Sequence, residues 1–383
     1  MMKIHYYSLC KTILSLALLT LPLCNCNGGQ IQQADQTPTE TEEPKDTTKY
    51  LTMVFAGDLM QHMPQINSAR VKGGYDYTEC FRYIKSQIEY ADVAVGNFET
   101  TLAGPPYSSY PKFCTPDDFL RDVKATGFDI LLSANNHVCD KGRLGVDRTI
   151  QMMDSLHIPH LGSYVDAEAR EKQYPFLLEK NGFRIVFLNY TYGTNGMPVI
   201  APNVINLIDK EVIAKDIERS KQMNPDAIIA FMHWGEEYFS LPVQSQKDMA
   251  DWLFEQGVTH IIGSHPHVPE PIEMRTDDKG GKHVLAYSLG NFVSNQSREN
   301  TYGGMLVHLK LEKDSTTRVN NCDYSLYFVT RPVMSGHKSH RVYDINTPDT
   351  VLSSGERRLR DSFLKSNRPL FEKYNVGIKE RRK

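Results

Sequence analysis

Six apolar, strand-like runs of this 383-residue chain each end in a short polar cluster. In an α/β fold the loops at the carboxyl ends of the strands form the ligand crevice, so six such runs predict one shared site. The clusters carry Asp, Glu, Asn and His, which hold divalent metals, and the imidazoles favour Zn, Mn or Fe over Ca or Mg. The runs are MVFAGD to Asp58, VAVGNFE to Glu99, ILLSANNH to His137, IIAFMHWGEE to Glu237, HIIGSHPH to His267 and VLAYSLGN to Asn291.

These clusters predict a metal-assisted hydrolase site. A two-metal hydrolase needs a carboxylate that bridges both ions, further oxygen and nitrogen ligands on each ion, and a water held between them. Such ions lower the pKa of bound water to about 7, which makes hydroxide available at neutral pH. An Asn ligand is neutral, so an anionic phosphorylated or carboxylated substrate can still approach. The predicted metal ligands are Asp58, Glu99, Asn136, His233, His265 and His267.

Each polar residue also has an ordinary structural explanation. Asp58 could cap a helix, Asn136 suits a turn, and His233 could be a hydrogen-bonded core histidine. Cys139, beside the NNH cluster, could be a ligand but is better explained as a small buried residue. These explanations do not account for a metal-competent group at the end of every apolar run, so the shared site is preferred.

The elements that position these residues alternate between strands and helices along most of the chain. This alternation predicts parallel strands with helical crossovers. Residues 176–193 and 303–333 instead have the pattern of antiparallel pairs, with turns at Asn181-Gly182 and around Asp314. We therefore expect an α/β fold with mixed sheets. The tripeptide GNF occurs twice, which is too short a match to indicate a repeat.

The first 26 residues have the pattern of an export signal. Two lysines precede an apolar core at residues 12–23, which is too short to span a bilayer as a helix. Cys24 and Cys26 follow this core as in a bacterial lipoprotein signal, although neither has the usual small residue before it. A plain cleaved signal and an uncleaved anchor remain open. In all three cases the chain starts at a membrane, and we expect an exported protein of the cell envelope.

The remaining organisation follows from composition. Residues 27–49 are polar and acidic with almost no large apolar side chain, which predicts a disordered tether. A folded domain is expected at residues 50–335, followed by a basic, helical C-terminal extension at residues 336–383. The formal net charge is −3, whereas nucleic-acid binders need a concentrated Lys/Arg face. We therefore expect no nucleic-acid partner.

The order GD, GNFE, ANNHxxDxG, HWGxE, HPH and SLGNF resembles the bacterial capsule-synthesis CapA family, also called poly-gamma-glutamate biosynthesis proteins. This family belongs to the calcineurin-like metallophosphoesterase superfamily, and the resemblance covers about residues 51–295. It implies a four-layer αββα sandwich with the site at one edge of the paired sheets. It also implies one or two divalent metal ions, namely Mn, Fe or Zn.

The resemblance further implies two ion positions that share one carboxylate. Glu99 would be this bridge, in place of the superfamily's bridging Asp. Asp58 would hold the first metal together with His267. The remaining ligands of the second metal would be Asn136, His233 and His265.

A proton donor is also implied, since His137 and Asp140 match the pair that protonates the leaving group. One position departs from the pattern, because the superfamily has Asp-x-His where this chain has Asp58-Leu59-Met60. A thioether is a poor ligand for hard divalent ions, and His62 comes two residues late. A weak or absent first metal, and a non-phosphate substrate, therefore remain open.

Two functions fit these residues. The first is a metal-dependent hydrolase of the phosphoesterase type that acts in capsule or poly-gamma-glutamate production. The second is a non-catalytic component that binds an anionic polymer for a membrane synthesis or export complex. The retained His137 and Asp140 favour the first, because a pure binder needs no proton donor.

Two other enzyme classes are disfavoured. The HPH motif echoes an amidohydrolase barrel but comes on the fifth run, whereas in that class it lies on the first strand. A serine hydrolase lacks support because the chain has no G-x-S-x-G elbow. The expected partners are an anionic cell-envelope polymer or phosphorylated substrate, the membrane through a lipid anchor or signal segment, and proteins of a synthesis complex.

Overall fold

Two β-sheets form the centre of the fold in a computed structural model that describes residues 48–381. The expected export signal and nearly all of the expected tether lie outside these residues. The strands are β1 (Lys49–Leu59), β2 (Arg70–Val71), β3 (Gly74–Tyr75), β4 (Val93–Phe98), β5 (Ile130–Leu132), β6 (His160–Leu161), β7 (Ser163–Tyr164), β8 (Phe176–Lys180), β9 (Phe183–Thr191), β10 (Val204–Ile205), β11 (Ala227–His233), β12 (His260–Ser264), β13 (Ile272–Thr276), β14 (Lys282–Ala286), β15 (Asn291–Val293), β16 (Gly303–Lys313), β17 (Thr317–Thr330), β18 (Arg341–Asp344) and β19 (Lys379–Glu380).

Helices connect many of these strands. The helices are α1 (Met63–Ala69), α2 (Thr78–Phe81), α3 (Lys85–Glu89), α4 (Asp117–Thr126), α5 (Gly142–Ser155), α6 (Ala167–Gln173), α7 (Lys210–Gln222), α8 (Gln244–Glu255), α9 (Pro332–Ser335) and α10 (Ser354–Tyr374). None of the helices within residues 48–381 is both long enough and apolar enough to cross a membrane.

Both sheets are mixed. The larger sheet has the order β18-β17-β16-β1-β4-β5-β6, with β15 beside β1 and β19 beside β17. Its strands β1, β4, β5 and β6 run parallel, whereas β16, β17 and β18 pair antiparallel. The smaller sheet has the order β13-β14-β12-β11-β9-β8, with antiparallel strands at both edges. The predicted α/β fold with mixed sheets is therefore confirmed.

The two predicted antiparallel pairs are present. Strands β8 and β9 meet at Asn181 and Gly182, which have φ values of 52° and 79°. Two central residues with positive φ match the twist of a tight hairpin, and Asn-Gly adopts this conformation readily. Strands β16 and β17 pair along their length on either side of the turn at Asp314.

Alternate residues of β1 enter two different cores, because successive side chains of a strand point to opposite faces. Met53 and Phe55 belong to the core between the sheets, where the rings of Phe55 and Phe231 lie 5.7 Å apart. Val54 and Ala56 belong to a second core, which also contains apolar residues of α2, α4 and α5. The larger sheet is therefore covered by the smaller sheet on one face and by helices on the other.

Helices α7 and α8 cover the smaller sheet. Ile213 and Ile217 of α7, with Ala250 and Leu253 of α8, are buried in the same core cluster as the strands of that sheet. Because Phe231 of β11 faces the larger sheet, these helices lie on the opposite face. The four layers form the αββα sandwich that the resemblance implies.

One predicted strand is divided between the two sheets. The run VLAYSLGN was expected to be one strand ending in Asn291, but β14 ends at Ala286 and β15 begins at Asn291. Strand β14 belongs to the smaller sheet and β15 pairs with β1 of the larger sheet. Gly290, with φ 73°, lies in the turn between them, where the backbone needs a conformation that glycine adopts without steric cost.

The C-terminal residues pack onto the sandwich. Helix α10 begins with a capping box in which Ser353 and Glu356 accept from each other's backbone N–H groups. Leu359, Phe363 and Phe371 of α10 are buried in the same core cluster, and the Phe371 ring lies 5.6 Å from the ring of Tyr324 in β17. Strand β19 adds to the larger sheet beside β17.

Candidate metal centre

The polar ends of parallel strands from both sheets meet at one edge of the sandwich. Asp58 lies near the end of β1, Glu99 directly follows β4, and His233 is the last residue of β11. The three side chains are fully buried, and one ligand atom from each lies within 4.8 Å of the others. These residues form a group that could hold a metal ion.

Asn136 and His265 complete the surroundings of His233. The Nε2 atom of His233 lies 3.0 Å from Oδ1 of Asn136 and 3.9 Å from Oε1 of Glu99. The rings of His233 and His265 have centroids 4.8 Å apart. The four side chains therefore converge on one volume.

The donor atoms in this volume fit a cation. Oε1 of Glu99 and Nδ1 of His265 are buried and have no hydrogen-bond partner among the described residues. A buried polar atom without a partner costs roughly 1–3 kcal/mol, and a divalent ion held by Asp58, Glu99 and His233 would satisfy the Glu99 atom. Carboxylate, amide and imidazole donors together suit Zn, Mn or Fe.

His267 lies on the other side of Asp58. Its Nδ1 atom is 3.2 Å from Oδ2 of Asp58, and its Nε2 atom is 4.0 Å from Oε1 of Glu237. The centroids of the His265 and His267 rings are 6.0 Å apart. The predicted ligands therefore lie in two adjoining groups, with Asp58 and Glu99 between His267 and His233.

An unusual backbone positions the HPH motif. His265 and His267 have φ values of 104° and 62°, a region that side-chain-bearing residues rarely adopt and that costs about 1–3 kcal/mol each. The loop is held by backbone hydrogen bonds from Trp234 N–H to the carbonyl of Ser264, at 3.1 Å, and from Tyr238 N–H to the carbonyl of Pro266, at 2.8 Å. These bonds connect it to the loop after β11, which carries Glu237.

Burial dominates the electrostatics of the site. It raises the pKa of Glu99 well above its usual range, and the neighbouring Asp58 carboxylate adds to this shift. Burial also lowers the pKa of His233 well below its usual range and that of His265 to about 3, with adjacent histidines adding to both effects. The two imidazoles are therefore neutral at physiological pH, which is the form that binds metals.

His137 and Asp140 form a close pair at the edge of this group. Nδ1 of His137 lies 2.8 Å from Oδ2 of Asp140, which also accepts a hydrogen bond of 2.6 Å from the N–H of Phe113. The Phe113 ring packs edge-on against His137 with centroids 4.6 Å apart. Nε2 of His137 lies 3.5 Å from Nδ2 of Asn195. Asp140 thus fixes the imidazole so that Nε2 is directed away from it.

Met60 and His62 lie outside the Asp58, Glu99 and His233 group. Met60 is buried, and its backbone N–H donates to the carbonyl of Val293 in β15. Nδ1 of His62 lies 3.1 Å from Oε1 of Gln65, and burial lowers the pKa of His62 to about 4.

Cys139 is also outside this group. Its side chain is buried, and burial raises its pKa to about 11, whereas a metal-binding cysteine is deprotonated. The cysteines within residues 48–381 are free thiols: Cys80, Cys114, Cys139 and Cys322.

Buried asparagines that the sequence analysis did not single out orient the ligands. Nδ2 of Asn97 donates to Oδ1 of Asp58 at 2.8 Å and lies 3.3 Å from Oε2 of Glu99. Asn135 donates to the carbonyl of Phe98 at 2.9 Å. Asn97 lies inside the GNFE motif and Asn135 inside the ANNH motif, and these motifs were the sequence signal that could have identified them. Glu237, in the HWGxE motif, also reaches the site.

A comparison with protein families now identifies the chain's relatives. The model of the family described as bacterial capsule synthesis protein PGA_cap matches residues 52–296, which is more than half of the chain. The chain belongs to this family. The PGA_cap match includes every predicted metal ligand, and the resemblance to capsule-synthesis proteins is confirmed.

Two Bacillus proteins are relatives of this PGA_cap chain. The capsule biosynthesis protein CapA of Bacillus anthracis is 27% identical over 315 residues, which is 78% of this chain and 74% of the relative. The PGA biosynthesis protein CapA of Bacillus subtilis strain 168 is 29% identical over 290 residues, which is 73% of each chain.

Solved structures similar to this PGA_cap chain include a phosphoesterase and a nucleotidase. The calcineurin-like phosphoesterase YfkN of Bacillus subtilis has a TM-score of 0.47 and 14% identity, covering 85% of this chain and 98% of YfkN. The NAD nucleotidase of Haemophilus influenzae has a TM-score of 0.47 and 12% identity, covering 88% of this chain. This chain spans 65% of the nucleotidase's length.

Proposed function

We propose that this PGA_cap protein acts in the biosynthesis of an anionic cell-surface polymer of the capsule or poly-gamma-glutamate type, through a metal-dependent hydrolase site. The observation that carries this proposal is the buried group of Asp58, Glu99 and His233, in which Oε1 of Glu99 lacks a partner among the described residues. Without a cation, a buried carboxylate so close to a second carboxylate is costly. The names of the Bacillus relatives, a capsule biosynthesis protein and a PGA biosynthesis protein, support the proposed type of polymer.

The side chains that would hold the ion or ions are those that the structure brings together. A divalent ion there supplies Lewis-acid polarisation of a phosphoryl or carbonyl oxygen and of water. Asn97 keeps the two carboxylates in place through its Nδ2 atom, 2.8 Å from Asp58. The proposed ligands are Asp58, Glu99, Asn136, His233, His265 and His267.

His137 would deliver the proton that the leaving group needs. Asp140 binds Nδ1 at 2.8 Å, so a protonated His137 carries its transferable hydrogen on Nε2. The Asp140 carboxylate stabilises that imidazolium and fixes its direction, as in other His–carboxylate pairs. After transfer, the neutral ring keeps the Nδ1 hydrogen bond and can accept a proton at Nε2 again.

We further propose that the protein is exported and held at the membrane by a lipidated cysteine, where it meets the other proteins of a polymer synthesis complex. This rests on the apolar core at residues 12–23 and on Cys24 and Cys26, all outside the described residues. Replacing both cysteines by Ser should move the protein from the membrane fraction to the soluble fraction. Unchanged fractionation would contradict the lipid anchor.

Metal content of the purified full-length chain tests the site. Elemental mass spectrometry should find one or two Mn, Fe or Zn ions per chain, and fewer in the variant His265→Ala, because this buried imidazole lies beside His233. The control His157→Asn changes an exposed histidine with positive φ, which Asn tolerates, and should keep the wild-type content. A wild-type chain that binds no metal after reconstitution would exclude the hydrolase mechanism and leave polymer binding without catalysis.

A further inference from the structure

The two GNF tripeptides occupy equivalent positions on either side of Asp58. Asn97 lies in β4 and Asn291 in β15, and these strands both pair with β1 in parallel. Asp58 is the register partner of both asparagines. One buried carboxylate is thus flanked by two buried amides, although the tripeptides lie far apart in the sequence.

The two amides present different atoms to the site. Asn97 directs its Nδ2 donor at Oδ1 of Asp58. Nδ2 of Asn291 instead donates to Oε1 of Gln296 at 2.8 Å and to the carbonyl of Thr301 at 2.9 Å. An amide has only two such hydrogens, so both are used and the orientation of Asn291 is determined. Its Oδ1 atom faces the metal centre.

Nδ1 of His267 lies beside two oxygen atoms that could bind a metal ion. Nδ1 of His267 lies 3.1 Å from Oδ1 of Asn291 and 3.2 Å from Oδ2 of Asp58. This nitrogen carries at most one hydrogen, so it cannot make a full hydrogen bond to both oxygens. Ligands about 2.1 Å from one divalent ion lie roughly 3 Å from each other. The two distances from Nδ1 of His267 therefore match those between ligands of one ion.

The other nitrogen of His267 also faces an oxygen. Its Nε2 atom is 4.0 Å from Oε1 of Glu237, whose side chain is partly exposed. This position is separate from the volume beside His233, where Asn136 and His265 lie.

We propose that Asn291 is a metal ligand, and that its Oδ1 atom binds an ion together with Asp58 and His267. Asn97 is the matching positioning residue on the opposite flank, because it presents a donor that no cation would bind. The inference rests on the proposed metal-dependent function. A neutral amide leaves this ion with more positive charge than a carboxylate would, which suits an anionic substrate.

Titration of the purified, metal-free full-length chain with Mn²⁺ tests the assignment, with free Mn²⁺ followed by its electron paramagnetic resonance signal. We expect two ions in the wild type. Asn291→Leu should lose one ion even at saturating Mn²⁺, with the other ion bound at wild-type affinity. If Asn291 only oriented His267, Asn291→Leu would lower the Mn²⁺ affinity by about 10–100-fold. The number of ions bound at saturating Mn²⁺ would then stay unchanged.

Two further variants keep the test decisive. Asn291→Asp retains an oxygen at the same place and adds a charge, so we expect both ions and tighter binding of one of them. This variant replaces Asn291→Leu if the latter does not fold. The control Asn367→Leu changes an equally buried asparagine of α10 and should bind two ions as the wild type does.

The outcomes separate this inference from the proposed function. Wild-type stoichiometry and affinity in Asn291→Leu, or unchanged affinity in Asn291→Asp, would overturn the ligand role of Asn291 alone. A wild-type chain without any bound Mn²⁺ would overturn the proposed function together with it.

Discussion

At the scale of single residues, the site combines metal-binding residue types with buried polar atoms that have no partner among the described residues. Within residues 48–381, Oε1 of Glu99 and Nδ1 of His265 have no hydrogen-bond partner, whereas Asn97 and Asn135 are hydrogen-bonded to their neighbours. Buried polar atoms in native proteins are nearly always satisfied. Atoms without a partner also occur elsewhere in the described residues, for example in Gln61 and Glu270, so it is the carboxylate, amide and imidazole donors around Glu99 that favour a cation there.

The proposed proton donor gives a residue-scale prediction. We expect His137→Gln to lower kcat for a phosphodiester by about 10²–10⁴-fold while the metal content stays unchanged. The loss should be larger for an alkyl leaving group than for p-nitrophenolate, because the latter leaves without a proton. Steady-state kinetics with both substrates measures this difference.

The exposed-histidine variant His157→Asn is the control and should keep wild-type kcat. An equal loss for both leaving groups would contradict proton donation by His137. If the variant also supports normal polymer production in cells, the non-catalytic binding function becomes the better explanation.

At the scale of elements, the passage of the chain from β14 to β15 is the step that completes the site. The backbone N–H of Asp58 donates to the carbonyl of Gly290 at 3.0 Å. A Cβ atom at Gly57 would lie 1.8 Å from this carbonyl oxygen, so the two backbones can meet only where residue 57 has no side chain. The position of Asp58 beside Asn291 depends on this contact.

We therefore predict that Gly57→Ala disrupts the pairing of β1 with β15. Overpacking of a buried position costs about 1–3 kcal/mol, and we expect the upper end because the opposing atom belongs to the backbone. Urea unfolding measures the loss of stability, and Mn²⁺ titration should show weaker binding on the Asp58 side.

Gly193→Ala is the matched control, since a Cβ there meets nothing within 4 Å and the residue does not have positive φ. Its free energy of unfolding should change by less than about 0.5 kcal/mol. If Gly57→Ala has the wild-type free energy of unfolding, β1 and β15 can move apart at this position without loss of stability. That result would contradict the prediction.

At the scale of the whole molecule, stability depends on a buried carboxyl away from the proposed ligands. Glu270 accepts a hydrogen bond of 2.8 Å from Gln246 through Oε2, while Oε1 has no partner among the described residues. Burial raises the pKa of Glu270 from 4.5 to about 8. The folded protein therefore holds this carboxyl in its neutral form at physiological pH.

This shift predicts a pH dependence of folding. The unfolded chain releases the Glu270 proton near pH 4.5 and the folded chain near pH 8, so the contribution to stability is fully present below pH 4.5. As the pH rises between these two values, this contribution to the free energy of unfolding falls by about 1.4 kcal/mol per pH unit. In Glu270→Gln this decline should disappear, as measured by urea unfolding of the metal-free protein from pH 5 to 9.

The exposed residue Glu255 provides the control, since Glu255→Gln should keep the wild-type pH profile. A Glu270→Gln profile with the wild-type slope would contradict a raised pKa at this position.

The sequence by itself determined the fold class and the predicted ligands. The apolar runs have the length and composition of strands, and the polar residues that end them are adjacent in sequence. The GD, GNFE and ANNH motifs are local, so the placement of Asp58, Glu99 and Asn136 at one edge of the larger sheet followed from the parallel strand order.

Only the tertiary structure decided which residues flank Asp58. Asn97 and Asn291 reach it because β4 and β15 pair with β1 on opposite sides, and β15 arrives there only after the chain has crossed between sheets at Gly290. The direction of the Asn291 amide depends in turn on Gln296 and Thr301. Strand pairing and amide orientation arise from contacts between distant residues, which local sequence patterns do not specify.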